Sequence, residues 1–560
     1  LTYTNGSNLP SINDWVADLE KHYTVVDVIN CDAYSPNSID LYNRIKANYR
    51  SEFDQDDRIV LTITRDYHKD QYPAIMLQSI QTMLNEIDIS NFFVCIVSTD
   101  PEIDNNYDWI AKNISTDAVP VHLYKASGEY TNKISTLTAY QKFSGFGNNS
   151  TIVNQMSDRE KYLLLESKTF CILPWISQYT MPDNNVTPCC LFKGSLGDAG
   201  TNSLEEIWNN SKTRQLRLDM LEEKSVTACS MCYIKGQVYK DDTGFRASYN
   251  RDFIEHFKKV TNTNVDGSLD QFELKQLNYR PNNLCNLQCR MCSSNYSSSL
   301  YQVERDLGKT VIGGAFKHSN PNLLEQYTKH INHLQQIIFE GGEPLMMKET
   351  YDFVELLDKH KRHDIKLQYI TNMTHTGLGK RKALDLWQNF TNVIVYASLD
   401  AEHGRGLYLR PGSYEWNQIV NFRRQLIEQR PDIFFCVQST ITILNALHMP
   451  DFHRSWVEQG LVDAEHWIVN TLYNKEYLRV TTAPAYLKDQ IREKFYKHLE
   501  WLRPLDPFGK SSAGYVAILN TLDNNDQFDP DLFWKEIEQR DKIYNVKLLD
   551  VFPELVDLPR

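Results

Sequence analysis

Hydrophobic residues fall into two alternating patterns along most of this chain. Short apolar runs of strand length, such as Ile59-Val-Leu-Thr-Ile and Phe92-Phe-Val-Cys-Ile-Val, are separated by segments whose apolar residues recur at helical spacing. Over residues 1–150 the runs predict strands at Tyr23–Asn30, Arg58–Tyr67, Asn91–Asp100 and Val119–Ala126, and the periodicity predicts helices at Tyr72–Ile87 and Tyr107–Ile114. Strand and helix in alternation imply a small α/β domain with a largely parallel sheet. Gly145–Asn154 then reads as a linker. Residues 270–480 repeat the alternation. Strands are expected at Glu273–Tyr279, Gln336–Glu340, Lys366–Thr371, Val393–Leu399, Phe434–Leu444 and His466–Leu472. Helices are expected near Leu323–His333, Thr350–His360, Arg381–Phe390 and Trp416–Glu428. Six strands mostly joined by helices suit a partial parallel barrel, whose chemistry sits at the C-terminal strand ends. Residues 481–560 predict helices at Ile491–Leu502 and Pro530–Tyr544 that cover the open side of that barrel.

Length and composition narrow the class. A chain of 560 residues is too long for one core, and about three or four domains are expected. Its 41% hydrophobic and 23% charged content is that of a soluble globular protein. No stretch approaches the roughly 20 apolar residues of a membrane span. Leu1-Thr-Tyr-Thr-Asn-Gly-Ser has neither a basic nor an apolar region, so no signal peptide is expected and a cytoplasmic location is. A net charge of −13 disfavours a protein that grips a nucleic-acid backbone over a broad surface. There is no dinucleotide-binding glycine fingerprint and no phosphate-binding loop in residues 1–150, and Asp100, Asp104 and Asp108 read as solvated carboxylates.

The eleven cysteines change the picture. Cys31, Cys95 and Cys436 are isolated and read as small buried hydrophobes, whereas the other eight fall within residues 171–292. Clustered cysteines in a large intracellular chain read as metal ligands before disulfides. Cys285, Cys289 and Cys292 form a C-x3-C-x2-C run immediately after the first strand expected for the barrel. Three thiolates so spaced can hold three irons of a cubane and leave the fourth open. An electron-transfer cluster has a fourth cysteine nearby. None follows within this loop, so the open iron points to a site that binds something.

Two further segments carry chemistry. Phe339-Glu-Gly-Gly-Glu-Pro-Leu ends the next predicted strand, with Glu340 lying 48 residues after Cys292. Paired glycines let a backbone approach a ligand closely. Ahead of the barrel, Cys171-Ile-Leu-Pro-Trp-Ile, Asn185-Val-Thr-Pro-Cys-Cys, Ser203-Leu-Glu-Glu-Ile-Trp-Asn-Asn and Cys229-Ser-Met-Cys supply up to five cysteines. On spacing alone, four cysteines with a C-x2-C pair suit tetrahedral zinc as well as an iron–sulfur cluster.

From Cys285 onward the chain resembles the radical S-adenosylmethionine (SAM) superfamily, and residues 171–232 resemble its SPASM/twitch auxiliary-cluster module, here N-terminal to the barrel. The resemblance spans residues 171–480, with Glu476-Tyr-Leu-Arg and Pro484 included. It implies a partial (β/α)6 radical SAM barrel at 270–480 and an auxiliary-cluster module at 165–250; the helical extension at 481–560 and the additional α/β domain at 1–150, which lies outside the resemblance, are read from the apolar pattern alone. It implies a [4Fe–4S] cluster on Cys285, Cys289 and Cys292 that binds SAM. It also implies an auxiliary iron–sulfur cluster, taken as [4Fe–4S], on Cys171, one of Cys189 and Cys190, Cys229 and Cys232. Taking Asn185 as the family's hairpin glycine selects Cys190, whereas the Val-x-Pro-Cys wording selects Cys189. Cys190 is the choice made here and the alternative stays open.

The resemblance places Gly341, Gly342, Glu343 and Pro344 at the SAM amino group. Asn372 belongs to a Thr-Asn-Gly element in which Met373 replaces Gly. Ser398 and Asp400 fall at the SAM ribose and Arg410 at its carboxylate, with Gln438 and Asn445 as fifth-strand candidates. Met291 stands where the family has an aromatic residue. The implied activity is reductive cleavage of SAM to a 5′-deoxyadenosyl radical that takes hydrogen from a substrate. The auxiliary cluster would assist an oxidation, or the modification of a peptide or small molecule. The implied partners are a flavodoxin- or ferredoxin-like electron donor and that substrate. A non-catalytic iron–sulfur electron carrier and a zinc-stabilised binding protein are the alternatives.

Overall fold

The computed structural model describes residues 152, 155–233, 245–311, 323–506, 509–524 and 526–560, together with the backbone of five strands in the first 131 residues. The chain divides into two compact units, residues 1–161 with 503–509, and residues 162–502 with 510–560. In the first unit, strands β1 (Thr24–Asn30), β2 (Asp57–Ile63), β3 (Phe92–Ser98) and β4 (Val121–Lys125) pair in parallel in sequence order, and β5 (Tyr130–Thr131) closes the edge antiparallel. The largely parallel sheet read from the apolar runs is therefore present. The helices expected at Tyr72–Ile87 and Tyr107–Ile114 lie outside the described residues, as do Cys31, the three loop aspartates and nearly all of the expected linker.

The second unit is built on nine strands. They are β6 (Ser177–Thr180), β7 (Asn185–Thr187), β8 (Gly197–Asp198), β9 (Gln276–Tyr279), β10 (Gln336–Phe339), β11 (Lys366–Thr371), β14 (Val393–Ser398), β15 (Phe434–Ile441) and β16 (Trp467–Thr471). A separate two-residue hairpin, β12 (Gly377–Leu378) with β13 (Arg381–Lys382), sits between β11 and β14. The order across the sheet is β16-β15-β14-β11-β10-β9-β6-β7-β8, and β9 through β16 in that order are parallel throughout. This is the partial barrel expected from the six strand-like runs. One connection was not legible in the sequence. The hairpin of the cysteine-rich segment joins the same sheet, with β6 parallel to β9 through Ser177↔Gln276 to Thr180↔Tyr279. An unpaired strand edge presents a row of free N–H and C=O groups, and β6 satisfies those of β9.

Alternation along the strands separates two faces. One is apolar and packs on helices. Phe339 lies against Phe353 of the helix Lys348–Lys359, Tyr369 against Trp387 of Ala383–Trp387, and Trp467 against Phe452 of Met449–Glu458 at 4.8 Å between ring centres. The other face carries Gln368, Tyr396, Ser398, Gln438 and Asn470, all half-buried, along with buried Asn278 and Cys436. A barrel interior lined with amides and hydroxyls at partial exposure is a site and not a packed core.

The expected helix Pro530–Tyr544 is present with those bounds. Asp529 accepts a hydrogen bond from Leu532 N at 2.9 Å, Pro530 begins the first turn, and Asn545 ends the helix at φ +51°. Its Asp541 pairs with Arg290, inside the cysteine triad, at 2.6 Å. The helices Ala485–Leu502 and Ser512–Thr521 take the other end, where Ser511 Oγ accepts from Trp467 N of edge strand β16 at 3.0 Å.

Trp467 is fully buried among Phe452, His453 and Trp456. Trp467→Ala should destabilise the second unit by about 3–5 kcal/mol, read as a lower denaturant midpoint, while the first unit unfolds as before.

Candidate functional site

The triad loop leaves β9 and has no regular secondary structure until the helix Leu300–Asp306, so its peptide groups need other partners. The polar run after Cys292 supplies many of them. Ser297 and Ser299 hydroxyls both donate to Leu287 O at 2.7 Å, Asn283 donates to Ser294 O at 2.8 Å, and Ser298 N donates to Asn283 O at 2.8 Å.

Two other loops clamp it from either side. The Gly-Gly-Glu-Pro strap after β10 lies on the backbone before Cys285. Glu343 N donates to Leu284 O at 2.8 Å, and a Cβ added to Gly342 would stand 2.2 Å from that same oxygen. After β14, Arg410-Pro-Gly lies along the triad itself. Gln288 N donates to Pro411 O at 2.6 Å and Arg290 N to Leu409 O at 2.8 Å. Gly412, at φ +120°, approaches Asn286 O so closely that a Cβ would come within 2.3 Å. The glycines are thus required by contact with the triad loop backbone.

The side chains expected at the cofactor divide into two groups. Glu343 is fully buried. Its carboxylate accepts from Thr371 Oγ1 and Asn372 N, each at 2.7 Å, and from Leu345 N at 3.0 Å, while burial pushes its pKa up to about 7. Asp400 is likewise consumed, accepting from Arg410 Nε and Thr440 N at 2.7 Å. Asn445 donates to Asp400 O and Thr440 O at 3.0 Å, and Pro344 is buried at the start of a short turn. These residues brace the loops. The others face the sulfurs or the open face. Arg410 Nη1 approaches Cys289 Sγ at 3.7 Å, and Asn372 Nδ2 stands 4.0 Å from Cys285 Sγ and 3.0 Å from Asn286 Oδ1. Ser398, the last residue of β14, is the register partner of Gln438 in the middle of β15, and both are half-buried. Met373 takes φ +63°, so the backbone keeps the form that favours the family's glycine.

The three triad cysteines lie within electrostatic reach of one another. Burial raises Cys285 to about 11 and Cys289 to about 12 and raises Cys292 as well; Arg410 opposes the shift at Cys289, and Lys475 followed by Arg410 opposes it at Cys292. Lys475 was not singled out in the sequence. Its Nζ donates to Arg290 O at 2.9 Å and to Cys292 O.

The five cysteines of the N-terminal segment also converge. Cys171 lies near Cys229 and Cys232, Cys189 near Cys171, Cys190 and Cys232, and Cys190 near Cys232. The Leu-Glu-Glu-Ile-Trp helix (Leu204–Trp208) starts at a reciprocal cap between Ser203 and Glu206. Trp208 then stacks under Arg217, whose Nε donates to Pro174 O of the Cys171 turn at 3.0 Å. The hairpin residue with left-handed backbone is Asn184 at φ +65°; Asn185 is the first residue of β7. A left-handed position is one that favours glycine or asparagine. Counted from Asn184, the spacing reaches Cys189. Cys190 keeps open surface yet is hemmed in enough that burial raises its thiol to about 12, and it faces Glu340 and Arg280 of the barrel.

All eight candidate ligands are sulfur, the donor that iron–sulfur clusters use. Among the described residues no group of three or more His, Cys, Asp or Glu side chains is arranged to hold a single metal ion. Both cysteine sets offer the thiolate donors that an iron–sulfur cluster takes.

Gly342→Ala should cost about 1–3 kcal/mol by overpacking against Leu284 O and should lower the iron retained by the triad after anaerobic reconstitution. In the metal-free protein the raised pKa of Glu343 means that the folded state holds a proton which the unfolded state has released. Stability should therefore fall as pH rises from about 4.5 to about 7. Glu343→Gln should flatten that slope in pH-dependent denaturant unfolding.

Residues 279–444 match the model of the radical SAM superfamily, and residues 171–233 match that of the iron–sulfur cluster-binding domain SPASM. No curated protein matches the chain. Among solved structures it is similar to native anSMEcpe with bound AdoMet, at 16% identity and TM-score 0.30 over 40% of this chain and 59% of that one. It is also similar to TYW1 with a lysine-pyruvate adduct bound, at 14% identity and TM-score 0.25 over 40% and 73%. A third is Streptococcus suis SuiB bound to S-adenosylmethionine, at 13% and 0.25 over 52% and 62%. The chain thus spans about 59% of the length of anSMEcpe, and likeness of this size says nothing of substrate. The two domain matches carry the cofactors that belong to those domains, a [4Fe–4S] cluster with SAM and an auxiliary iron–sulfur cluster. The chain thus carries a radical SAM domain over residues 279–444 and, ahead of it in sequence, a SPASM-type iron–sulfur cluster-binding domain over residues 171–233.

Proposed function

We propose that the chain is a radical SAM enzyme whose auxiliary cluster assists an oxidation, or the modification of a peptide or small molecule. The observation that carries this reading is the clamped triad. Three sulfurs on one irregular loop are held between the straps after β10 and β14, with Arg410 and Asn372 at the sulfurs and a half-exposed polar face below. When bound, the cluster and SAM supply a 5′-deoxyadenosyl radical, which takes hydrogen from the substrate.

The chain's own groups do the rest. Cys285, Cys289 and Cys292 are the ligands. Arg410, fixed by Asp400, offers its guanidinium to a carboxylate. The Gly341-Gly342 backbone, braced by Glu343 and Pro344, presents peptide groups to an amino group. Ser398 and Gln438 meet the ribose, and Asn372 holds the loop at Cys285. In the auxiliary set we assign Cys171, Cys189, Cys229 and Cys232 as ligands and leave Cys190 facing the barrel.

The division of labour follows the sequence, with an auxiliary-cluster module at 165–250, the barrel at 270–480, a helical extension at 481–560, and substrate or partner recognition by residues 1–150. An enzyme of this superfamily needs an external electron donor, here a flavodoxin- or ferredoxin-like protein, and a substrate. No described helix is long and apolar enough to cross a membrane. A cytoplasmic location completes the reading.

Anaerobically reconstituted protein given SAM and a strong reductant should release 5′-deoxyadenosine, detected by chromatography, and Cys289→Ala should abolish it. Continued production by that variant would contradict the ligand assignment. Cys189→Ala should lose the auxiliary iron while Cys190→Ala keeps it, as measured by iron and sulfide content in a background lacking the triad.

A further inference from the structure

Glu476-Tyr-Leu-Arg stands out in the sequence, yet nothing in the chemistry above uses it. The residue before it, Lys475, takes a left-handed backbone at φ +54°. It lies beyond the last barrel strand, and its ammonium reaches back to the carbonyls of Arg290 and Cys292. Tyr477, two residues on, lies beside Arg540 of the helix Pro530–Tyr544, and so does Tyr544. Arg540 is 0% exposed, and the Tyr477 and Tyr544 hydroxyls lie against its guanidinium, with Glu536 also beside Tyr477. Arg290 sits between the Tyr408 and Tyr544 rings, and its Nη1 is unpartnered.

The acids nearby are already engaged. Asp541 accepts from Arg290 at 2.6 Å, Tyr408 OH at 2.7 Å and Leu548 N at 2.7 Å. Glu536 pairs with Lys309 at 2.9 Å, and Glu304 accepts from Ser294 N at 3.0 Å. A guanidinium taken out of water is favoured by a nearby anion. The three triad thiolates with their core form a net anion that grows by one charge on reduction. The loop that carries those thiolates is the one Lys475 holds through Arg290 O and Cys292 O, with Tyr544 adjacent to Cys289. A fixed cation near such a cluster favours its more negative, reduced form.

Resting on the functional reading above, we propose that Lys475 and Arg540, both from beyond the barrel, are positioning residues that form a positively charged backing to the triad loop and raise the reduction potential of its cluster. The post-barrel segment is then an electrostatic part of the site.

The test is EPR-monitored redox titration of the reconstituted protein with the auxiliary cysteines replaced, so that one cluster is read. Lys475→Met and Arg540→Met should each shift the midpoint to more negative potential, and Lys475→Arg and Arg540→Lys should stay near the parent. Unshifted midpoints in both Met variants would overturn the proposal. So would loss of the cluster in the charge-preserving variants as well as the Met forms, since a merely structural strap behaves that way. Loss confined to the Met forms supports it. A parent protein that holds no reducible cluster would instead sink the functional reading itself.

Discussion

An irregular loop that must present three thiolates together has no hydrogen-bond ladder of its own, and the rest of this molecule is arranged around that deficiency. The loop from Arg280 to Ser299 is held by backbone contact with two other loops, at Leu284 O against Gly342 and at Asn286 O against Gly412. Both contacts are close enough to exclude a Cβ. Gly342 follows β10 directly and Gly412 follows the helix His403–Leu409 after β14, so two loops beyond the parallel strands set where the sulfurs stand. The motifs that look like ligand contacts are in large part the fixings of this loop. Glu343 and Asp400 spend their carboxylates on Thr371, Asn372, Arg410 and Thr440, which leaves Arg410 and Asn372 poised at the sulfurs.

The same logic extends outward. The auxiliary hairpin is part of the barrel sheet, because β6 completes the edge of β9. Arg280, at the tip of β9, pairs with Glu340 at the tip of β10 and stacks over Tyr179 of β6. The two cysteine sets are thus connected through neighbouring strands of one sheet and the Arg280–Glu340 ion pair. On the other side, Asp541 and Lys475 bring the post-barrel segment onto the triad loop. The loop is consequently contacted by residues from nearly the whole length of the second unit.

Much of this was legible in the chain itself. Lys366–Thr371 and Pro530–Tyr544 appear with the bounds that periodicity and capping predict, and the other barrel strands differ only at their ends. The strand ends carry the cysteine triad, Gly-Gly-Glu-Pro, Asn372 and Asp400 where a parallel barrel places its chemistry. Local pattern reports these features because an apolar run, a cap or a cysteine spacing acts within a few residues of itself.

What the chain alone determined was the identity of the parts: parallel strands, two cysteine sets, and glycine-bearing straps at strand ends. Tertiary structure decided how they meet. It placed the hairpin's left-handed turn at Asn184, turned Glu343 and Asp400 into braces, and brought Lys475 and Asp541 onto the triad loop. The physical reason is that these outcomes depend on backbone dihedrals and on contacts between residues tens to hundreds of positions apart. Both are settled only when the strands pair and the loops at their ends press together.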